Sequence, residues 1–174
     1  MAGWQFIRFQ FIFPLILLVL FLVDGNLAAS LGFLMKEPFH TIPMLTFTWL
    51  FYAIQFGAYK SLPYYVYVVI FGVLFDIFYT GILGTYTIAF LLGTLMMEKL
   101  RPFFDEKMMS GLLLLLIGQV VYLIVTFLSG YLIGSANLSI LSFFVYLLLP
   151  TVFLNLIVAA IFYYPAWSLL QRIV

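Results

Sequence analysis

The chain contains little charge and no cysteine. Only 7% of its 174 residues are Asp, Glu, Lys or Arg, whereas about 25% is usual for a soluble domain. A water-facing surface cannot be built from so few charges, because 67% of the residues are hydrophobic and the mean hydropathy is +1.25. We therefore expect an all-α, polytopic membrane protein whose outer surface faces mostly lipid.

Other absences exclude several classes of function. Without cysteine there are no disulfides and no thiol chemistry. The only histidine, His40, has no second histidine or cysteine with which to bind a metal, so neither a metal nor another cofactor is expected. The net charge of +1 does not indicate nucleic-acid binding, which relies on an excess of basic residues. No stretch is long enough for a separate soluble domain, so residues 1–174 are interpreted as one integral membrane domain.

Six apolar runs are predicted to form a bundle of six transmembrane helices. Two of them follow a hydroxyl residue and a proline, at Thr41-Ile42-Pro43 and Ser61-Leu62-Pro63, a pattern typical of helix starts. A cleaved signal peptide is an alternative for the first run, but the rest of the chain is all membrane-like. The predicted spans are residues 9–27, 42–58, 62–79, 83–97, 108–133 and 140–164.

The basic residues orient these spans. If the N-terminus is cytoplasmic, Lys36 is the only lysine or arginine that falls on the outer side of the membrane. The positive-inside rule predicts such an excess of basic residues on the cytoplasmic side. Both termini are then predicted to be cytoplasmic. The basic residues placed in the cytoplasm are Arg8, Lys60, Lys99, Arg101, Lys107 and Arg172.

One carboxylate, Asp76, stands inside an apolar run, in the stretch Phe71–Tyr86. A charged side chain in lipid is costly and usually has a function. The third and fourth spans share only Leu62–Met97, too few residues for two full crossings and a loop. The turn Thr80–Gly84 is therefore expected near the outer hydrocarbon boundary, with Asp76 beneath it and pointing into the bundle or a partner.

Helical spacing places other candidate residues around this acid. Gly72, Asp76 and Tyr79 stand at i, i+4 and i+7 and are predicted to share one face. Gly72 would allow a neighbouring helix to approach closely. Gly84 would supply a positive φ in the turn. Tyr86 is expected to place a second phenol side chain, after that of Tyr79, in the region of Asp76.

The sixth span contains a second polar face. Thr151 and Asn155 stand at i and i+4, after Pro150. Pro150 cannot donate a hydrogen bond to the carbonyl of Tyr146, which predicts a kink. Because an asparagine in lipid usually bonds to another helix, we expect Asn155 or Thr151 to pack against the helix of Asp76.

Two weaker features complete the set of candidates. Asp24 and Asn26 follow the first apolar run and are interpreted as polar helix-end residues among lipid headgroups. Gly111 and Gly118 stand at i and i+7 in the fifth span, and they are predicted to pack against the single helix of a partner.

The two polar stretches resemble recurring segments of a known family, the bacterial rod shape-determining protein MreD. The first has the pattern Gly72-x3-Asp76-x2-Tyr79-x4-Gly84-x-Tyr86, and the second has Pro150-Thr151-x3-Asn155. The chain length and the charged connector between the fourth and fifth spans extend the resemblance to essentially the whole chain.

This resemblance implies a non-enzymatic subunit of the cell-elongation complex in the bacterial cytoplasmic membrane. The implied partner is MreC, alongside the glycosyltransferase RodA, a class B penicillin-binding protein and, indirectly, the actin-like MreB. It also implies a fold similar to the substrate-binding subunits of energy-coupling-factor transporters. Membrane lipid surrounds such a bundle, and association with a second copy of the chain stays open.

Two other classes of function are alternatives. An intramembrane acid near a glycine-rich turn also suits the substrate-capture subunit of a vitamin-type transporter. An intramembrane hydrolase would need paired carboxylates, or a nucleophile with a base. Asp76 has no carboxylate in the adjacent spans, so no catalytic residue is predicted.

Overall fold

The computed structural model of the protein describes residues 2–30, 39–134 and 139–171, together with their side chains except those of residues 2–10, 28 and 29. This part of the chain forms six helices and no strand, so the all-α prediction is confirmed. The helices are α1 (Ala2–Ser30), α2 (Leu45–Gln55), α3 (Tyr64–Thr80), α4 (Thr85–Leu100), α5 (Met108–Ile133) and α6 (Ile140–Gln171).

The helices differ in how well they suit a membrane crossing. By length and composition alone, α5 and α6 are long and apolar enough to cross a bilayer. The segments Phe11–Leu27 in α1 and Tyr64–Thr80 are apolar but shorter. With 11 residues, α2 falls short of the roughly 20 that a full crossing needs. Six helices thus occur in the predicted order, while six complete spans stay a prediction.

The predicted capping of two helix starts is wrong. Helix α2 begins at Leu45 after the irregular residues 39–44, so Pro43 lies before the helix rather than in its first turn. Helix α3 begins at Tyr64, directly after Pro63. Neither start has a cap from its own N-cap side chain. At α2 the reason is that a different helix supplies the cap, as the geometry below shows.

Glycines bring α5 close to the rest of the bundle. A Cβ atom on Gly118 would lie 2.5 Å from Sδ of Met97 on α4, and one on Gly111 would lie 3.0 Å from atoms of Gln55 and Tyr163. Both glycines therefore face the core of their own chain. The prediction that they face a partner's helix is wrong, since its own helices occupy that space.

Polar contacts collect at two opposite ends of the bundle. One end, here named the connector end, contains Ala58–Ser61 and residues 98–107. There Nε of Arg101 donates to the carbonyl of Gln55 at 3.0 Å, and the Tyr163 hydroxyl donates to the carbonyl of Glu106 at 2.8 Å. The other, the capped end, contains the last turns of α1, residues 39–46 and the turn between α3 and α4.

The described basic side chains all lie at the connector end: Lys60, Lys99, Arg101 and Lys107. This grouping agrees with the charge asymmetry in the sequence, although the orientation in a membrane stays a prediction. Lys36, Arg172 and the side chain of Arg8 lie outside the described part of the chain.

Candidate functional site

Asp76 is fully buried and caps the helix that follows it. Its carboxylate accepts hydrogen bonds from the backbone N–H groups of Gly84 at 2.7 Å, Tyr86 at 2.6 Å and Thr87 at 3.2 Å. The Thr87 hydroxyl donates a fourth bond at 2.6 Å. The first N–H groups of a helix have no partner within it, and a negative charge there also faces the positive end of the helix dipole. Asp76 of α3 therefore supplies the N-terminal cap that α4 lacks.

The turn between these helices depends on glycine, as predicted. Gly84 has φ +106° and Gly81 has φ +68°, which are conformations that other residues rarely adopt. The N–H of Gly81 donates to the carbonyl of Asp76 at 2.7 Å and closes the last turn of α3. A Cβ atom on Gly72 would lie 2.7 Å from Cα of Thr87. The predicted close approach of a neighbouring helix at Gly72 is therefore confirmed.

Tyr79 does not share the face of Asp76. The last turn of α3, Asp76–Thr80, is π-helical, and it contains more residues than an α-helical turn. Tyr79 therefore turns towards α1, where its hydroxyl donates to the carbonyl of Phe21 at 3.1 Å and lies over Gly25. Gly72 and Asp76 therefore share a face of α3, as predicted. The prediction that Tyr79 lies on that face is wrong, because Tyr79 connects α3 to α1.

Tyr86 returns to the region of Asp76 as predicted. Its backbone N–H is one of the groups that Asp76 caps. Its ring packs against Phe75, with ring centroids 5.8 Å apart, and stacks on Tyr122 of α5 at 6.0 Å. Tyr86 thus brings α3, α4 and α5 together.

A second buried carboxylate, Asp24, caps α2 in the same way. Its oxygens accept from the N–H of Leu45 at 2.8 Å, the N–H of Thr46 at 2.9 Å and the Thr46 hydroxyl at 2.7 Å. Helix α1 continues to Ser30, and Asp24 is only 4% exposed. Its interpretation as a headgroup residue at a helix end is therefore wrong. Asn26, by contrast, bonds the carbonyl of Leu22 in its own helix and is exposed.

Sequence reasoning missed this role of Asp24, although a signal was present. Met44 and Gly84, which directly precede α2 and α4, carry no side chain that can cap a helix. Each of these helices follows a helix that carries an acid near its end, Asp24 or Asp76. The absence of a local cap, together with that acid, indicates a cap from the preceding helix.

Asn155 and Thr151 bind residues 39–44, not the helix of Asp76. The Asn155 side chain accepts from the N–H of Met44 and donates to the carbonyl of Ile42, both at 2.8 Å. The N–H of Ile42 donates to the Thr151 hydroxyl at 3.1 Å. The predicted pairing with α3 is wrong, because this irregular backbone has polar groups that no helix of its own satisfies.

Pro150 contributes to the same arrangement. Residues Phe143–Leu148 of α6 form a π-helical segment just before Pro150, while the kink at Pro150 stays a prediction. The carbonyl of Tyr146, to which Pro150 cannot donate, accepts a hydrogen bond from the N–H of His40 at 2.8 Å. The proline therefore leaves free an acceptor that holds the start of the irregular segment.

Some buried polar atoms have no partner among the described residues. Both amide atoms of the fully buried Gln119 are unpaired, as are Nε1 of Trp49 and Oε1 of Gln55. Each such group carries a desolvation cost that no hydrogen bond offsets. They are therefore positions where the stability of the bundle is not at its maximum.

A cavity of about 200 Å³ lies at the capped end. Asp24, the irregular residues 42–44 and aromatic rings of α2, α3, α4 and α5 line it. Within the described ranges, no three His, Asp or Glu side chains are grouped so that they could hold a metal ion. The chemistry that these residues offer is that of hydrogen-bonded caps and of an aromatic cavity.

The fold and the site define a class of protein: an all-helical membrane-type bundle in which buried acids of one helix cap the next. The chain matches the family model described as rod shape-determining protein MreD over residues 7–173. It therefore belongs to this family of shape-determining membrane proteins. No curated protein and no solved structure matches the chain. The similarity to energy-coupling-factor subunits thus stays a prediction.

Proposed function

We propose that the protein is a non-enzymatic, multi-pass subunit of the rod complex in the bacterial cytoplasmic membrane, where it binds MreC and helps organise peptidoglycan synthesis. The observation that carries this proposal is the family match over nearly the whole chain. RodA and a class B penicillin-binding protein are further proposed neighbours, and MreB acts indirectly through the complex.

The use of the candidate residues supports a structural role. Asp76 and Asn155 both bind backbone groups that would otherwise be unpaired. A carboxylate that accepts four hydrogen bonds holds two helices together and is poorly placed to move a proton. These residues keep the bundle in one arrangement, which is what a docking subunit requires.

The outer surface also supports a membrane subunit. Many large apolar side chains are exposed on α5 and α6, including Leu132 at 85% and Phe153 at 69%. Such surface suits lipid or the helices of partner proteins. Both termini face the cytoplasm in this proposal, since the described Lys and Arg side chains share the connector end.

The cavity at the capped end favours a second candidate, the substrate-capture subunit of a small-molecule transporter. Deletion would then reduce uptake of a nutrient and leave cell shape intact. The rod-complex proposal predicts the reverse pattern, because the partner would be a protein of the elongation machinery.

The test is depletion of the protein in its rod-shaped host, together with affinity purification from membranes. We expect depleted cells to lose their rod shape, and MreC to be recovered with the tagged protein. Normal morphology after depletion, or purification without MreC, would overturn the proposal.

A further inference from the structure

The cavity at the capped end has walls that suit one kind of chemistry. Its volume of about 200 Å³ is below the ~300–1,000 Å³ usual for drug-sized ligands. It therefore fits a small group rather than a large molecule. The irregular residues 42–44 form one wall, and such backbone at membrane depth is expected where protein covers it or where it lines a cavity.

Six aromatic rings surround the space. They form a connected cluster: the ring of Phe90 lies 5.7 Å from Phe47, 5.2 Å from Phe75 and 5.3 Å from Tyr122, measured between centroids. The faces of such rings are negative and attract cations. The rings that line the cavity are Phe47, Phe75, Tyr79, Tyr86, Phe90 and Tyr122.

Carboxylates add negative charge to this end of the bundle. Asp24 lines the cavity, and Asp76 binds the backbone of Tyr86, whose ring also lines it. Both carboxylates accept hydrogen bonds from backbone N–H groups and from a threonine hydroxyl. The two helix starts that they cap offset part of this charge, at about half a unit each.

No described lysine or arginine offsets the remainder, because those side chains lie at the connector end. The cavity thus combines aromatic faces with a buried carboxylate, Asp24.

We propose that this cavity binds an alkylammonium group. Ring faces and carboxylates together recognise a positive charge carried on an apolar group, and Asp24 retains a lone-pair site beyond its three accepted bonds. The group belongs either to a free organic cation or to a lipid headgroup such as ethanolamine. The site depends on the cavity alone and not on the binding of MreC.

The test is calorimetric titration of the full-length protein in phosphatidylglycerol nanodiscs with choline. The matched control ligand is 3,3-dimethylbutanol, in which a neutral carbon replaces the charged nitrogen. We expect saturable binding of choline that is about tenfold tighter than that of the neutral compound. Equal affinity for the two compounds, or no binding of choline by a folded protein, would overturn the proposal unless a lipid occupies the site, which the next arm decides.

The lipid arm uses nanodiscs that also contain phosphatidylethanolamine. If choline binding then weakens in competition, or if a native mass spectrum retains phosphatidylethanolamine in preference to phosphatidylglycerol, the natural group is a lipid headgroup. If phosphatidylethanolamine neither competes nor is retained, choline binding identifies a free cation as the occupant. Absence of both choline binding and lipid selectivity contradicts the site.

Variants separate the cavity from general folding. Phe90→Leu removes one ring face, and we expect choline affinity to fall by about tenfold. Phe153→Leu is the matched control on the exposed surface of α6, where affinity should be unchanged. Helical circular dichroism and the melting temperature without ligand establish that each variant is folded. Unchanged affinity in a folded Phe90→Leu protein would count against the proposal.

Discussion

Asp24 and Asp76 each replace a cap that the sequence does not provide locally. Neither Met44 nor Gly84 can accept hydrogen bonds from the first turn of its helix through a side chain. In lipid, water cannot replace the missing partner. The carboxylate of the preceding helix therefore takes over this function, and it fixes two helices relative to each other.

Replacing Asp76 with alanine is expected to destabilise the protein by at least about 2 kcal/mol, because buried N–H groups of α4 lose their acceptor. Thermal unfolding of the detergent-purified protein measures this loss. Asp105→Ala is the matched control, since the Asp105 side chain is 71% exposed and, among the described residues, pairs with Lys107 alone. Equal melting temperatures for the two variants would show that Asp76 is not a cap.

The unpaired amide of Gln119 leads to a prediction of increased stability, in contrast to the loss expected for Asp76→Ala. Gln119→Leu should raise the melting temperature, because it removes a buried polar group without breaking a hydrogen bond, a gain of about 1–3 kcal/mol. Gln55→Leu should lower it, because Nε2 of Gln55 donates to the Tyr163 hydroxyl at 3.0 Å. A loss of stability in Gln119→Leu would mean that this amide has a partner that stabilises it.

The residues could be predicted from the sequence to different degrees. Asp76 is evident because it interrupts an apolar run. The role of Asp24 is not evident, because the Gly25 and Asn26 that follow it are typical of a helix end. Helix α1 nevertheless continues to Ser30. The partners of Asp24 at Leu45 and Thr46 lie about twenty residues away, so the signal for this contact is the missing local cap before α2 and not a short-range pattern.

At the scale of elements, residues 39–46 are the segment that the bundle is built to hold. Asn155 and Thr151 of α6 bind their backbone from one side, and Asp24 of α1 binds it from the other. Residues 39–44 are irregular and residues 45–46 are the first of α2, so these bonds satisfy backbone groups that have no partner within a helix. Helices α1, α2 and α6 are joined through it.

Double-mutant cycles test this connection. Asp24→Ala and Asn155→Ala should couple by about 0.5 kcal/mol or more in thermal unfolding, because both side chains hold the start of α2. Asp76→Ala and Asn155→Ala should be additive, because they share no hydrogen-bonded partner. The reverse pattern would show that α6 acts on α3 instead of on residues 39–46.

Helix existence was predictable, whereas helix starts were not. The apolar runs give all six helices, but the hydroxyl–proline pattern at Thr41–Pro43 placed the start of α2 too early. Proline fixes only its own φ, and the start is decided by which distant side chain accepts the first N–H groups. Tyr79 shows the same limit, because a π-helical turn changes which residues share a face.

For the whole molecule, the two ends differ in chemistry. The connector end contains the described basic side chains, while the capped end contains buried acids and the aromatic cavity. In the proposed topology, the positive-inside rule predicts that the cavity lies on the extracytoplasmic side. This is the side on which the cell wall is assembled.

The absence of cysteine allows a clean test of this orientation. We introduce Ser139→Cys, before α6, and Lys60→Cys, between α2 and α3; both positions are exposed. A membrane-impermeant maleimide added to spheroplasts should label Ser139→Cys, and it should label Lys60→Cys only after the membrane is opened. Labelling of Lys60→Cys in sealed spheroplasts would invert the proposed topology.

Complementation of a depletion strain with Asp76 variants tests most directly whether the protein needs the Asp76 cap to function in the rod complex. The readouts are cell shape and the recovery of MreC from equal amounts of membrane-inserted protein. We expect wild type and Asp105→Ala to restore rods and recover MreC. Asp76→Ala should do neither, and Asp76→Asn, which keeps one acceptor oxygen, should do so in part. Full rescue with normal MreC recovery by Asp76→Ala would show that the function of the protein does not depend on the Asp76 cap.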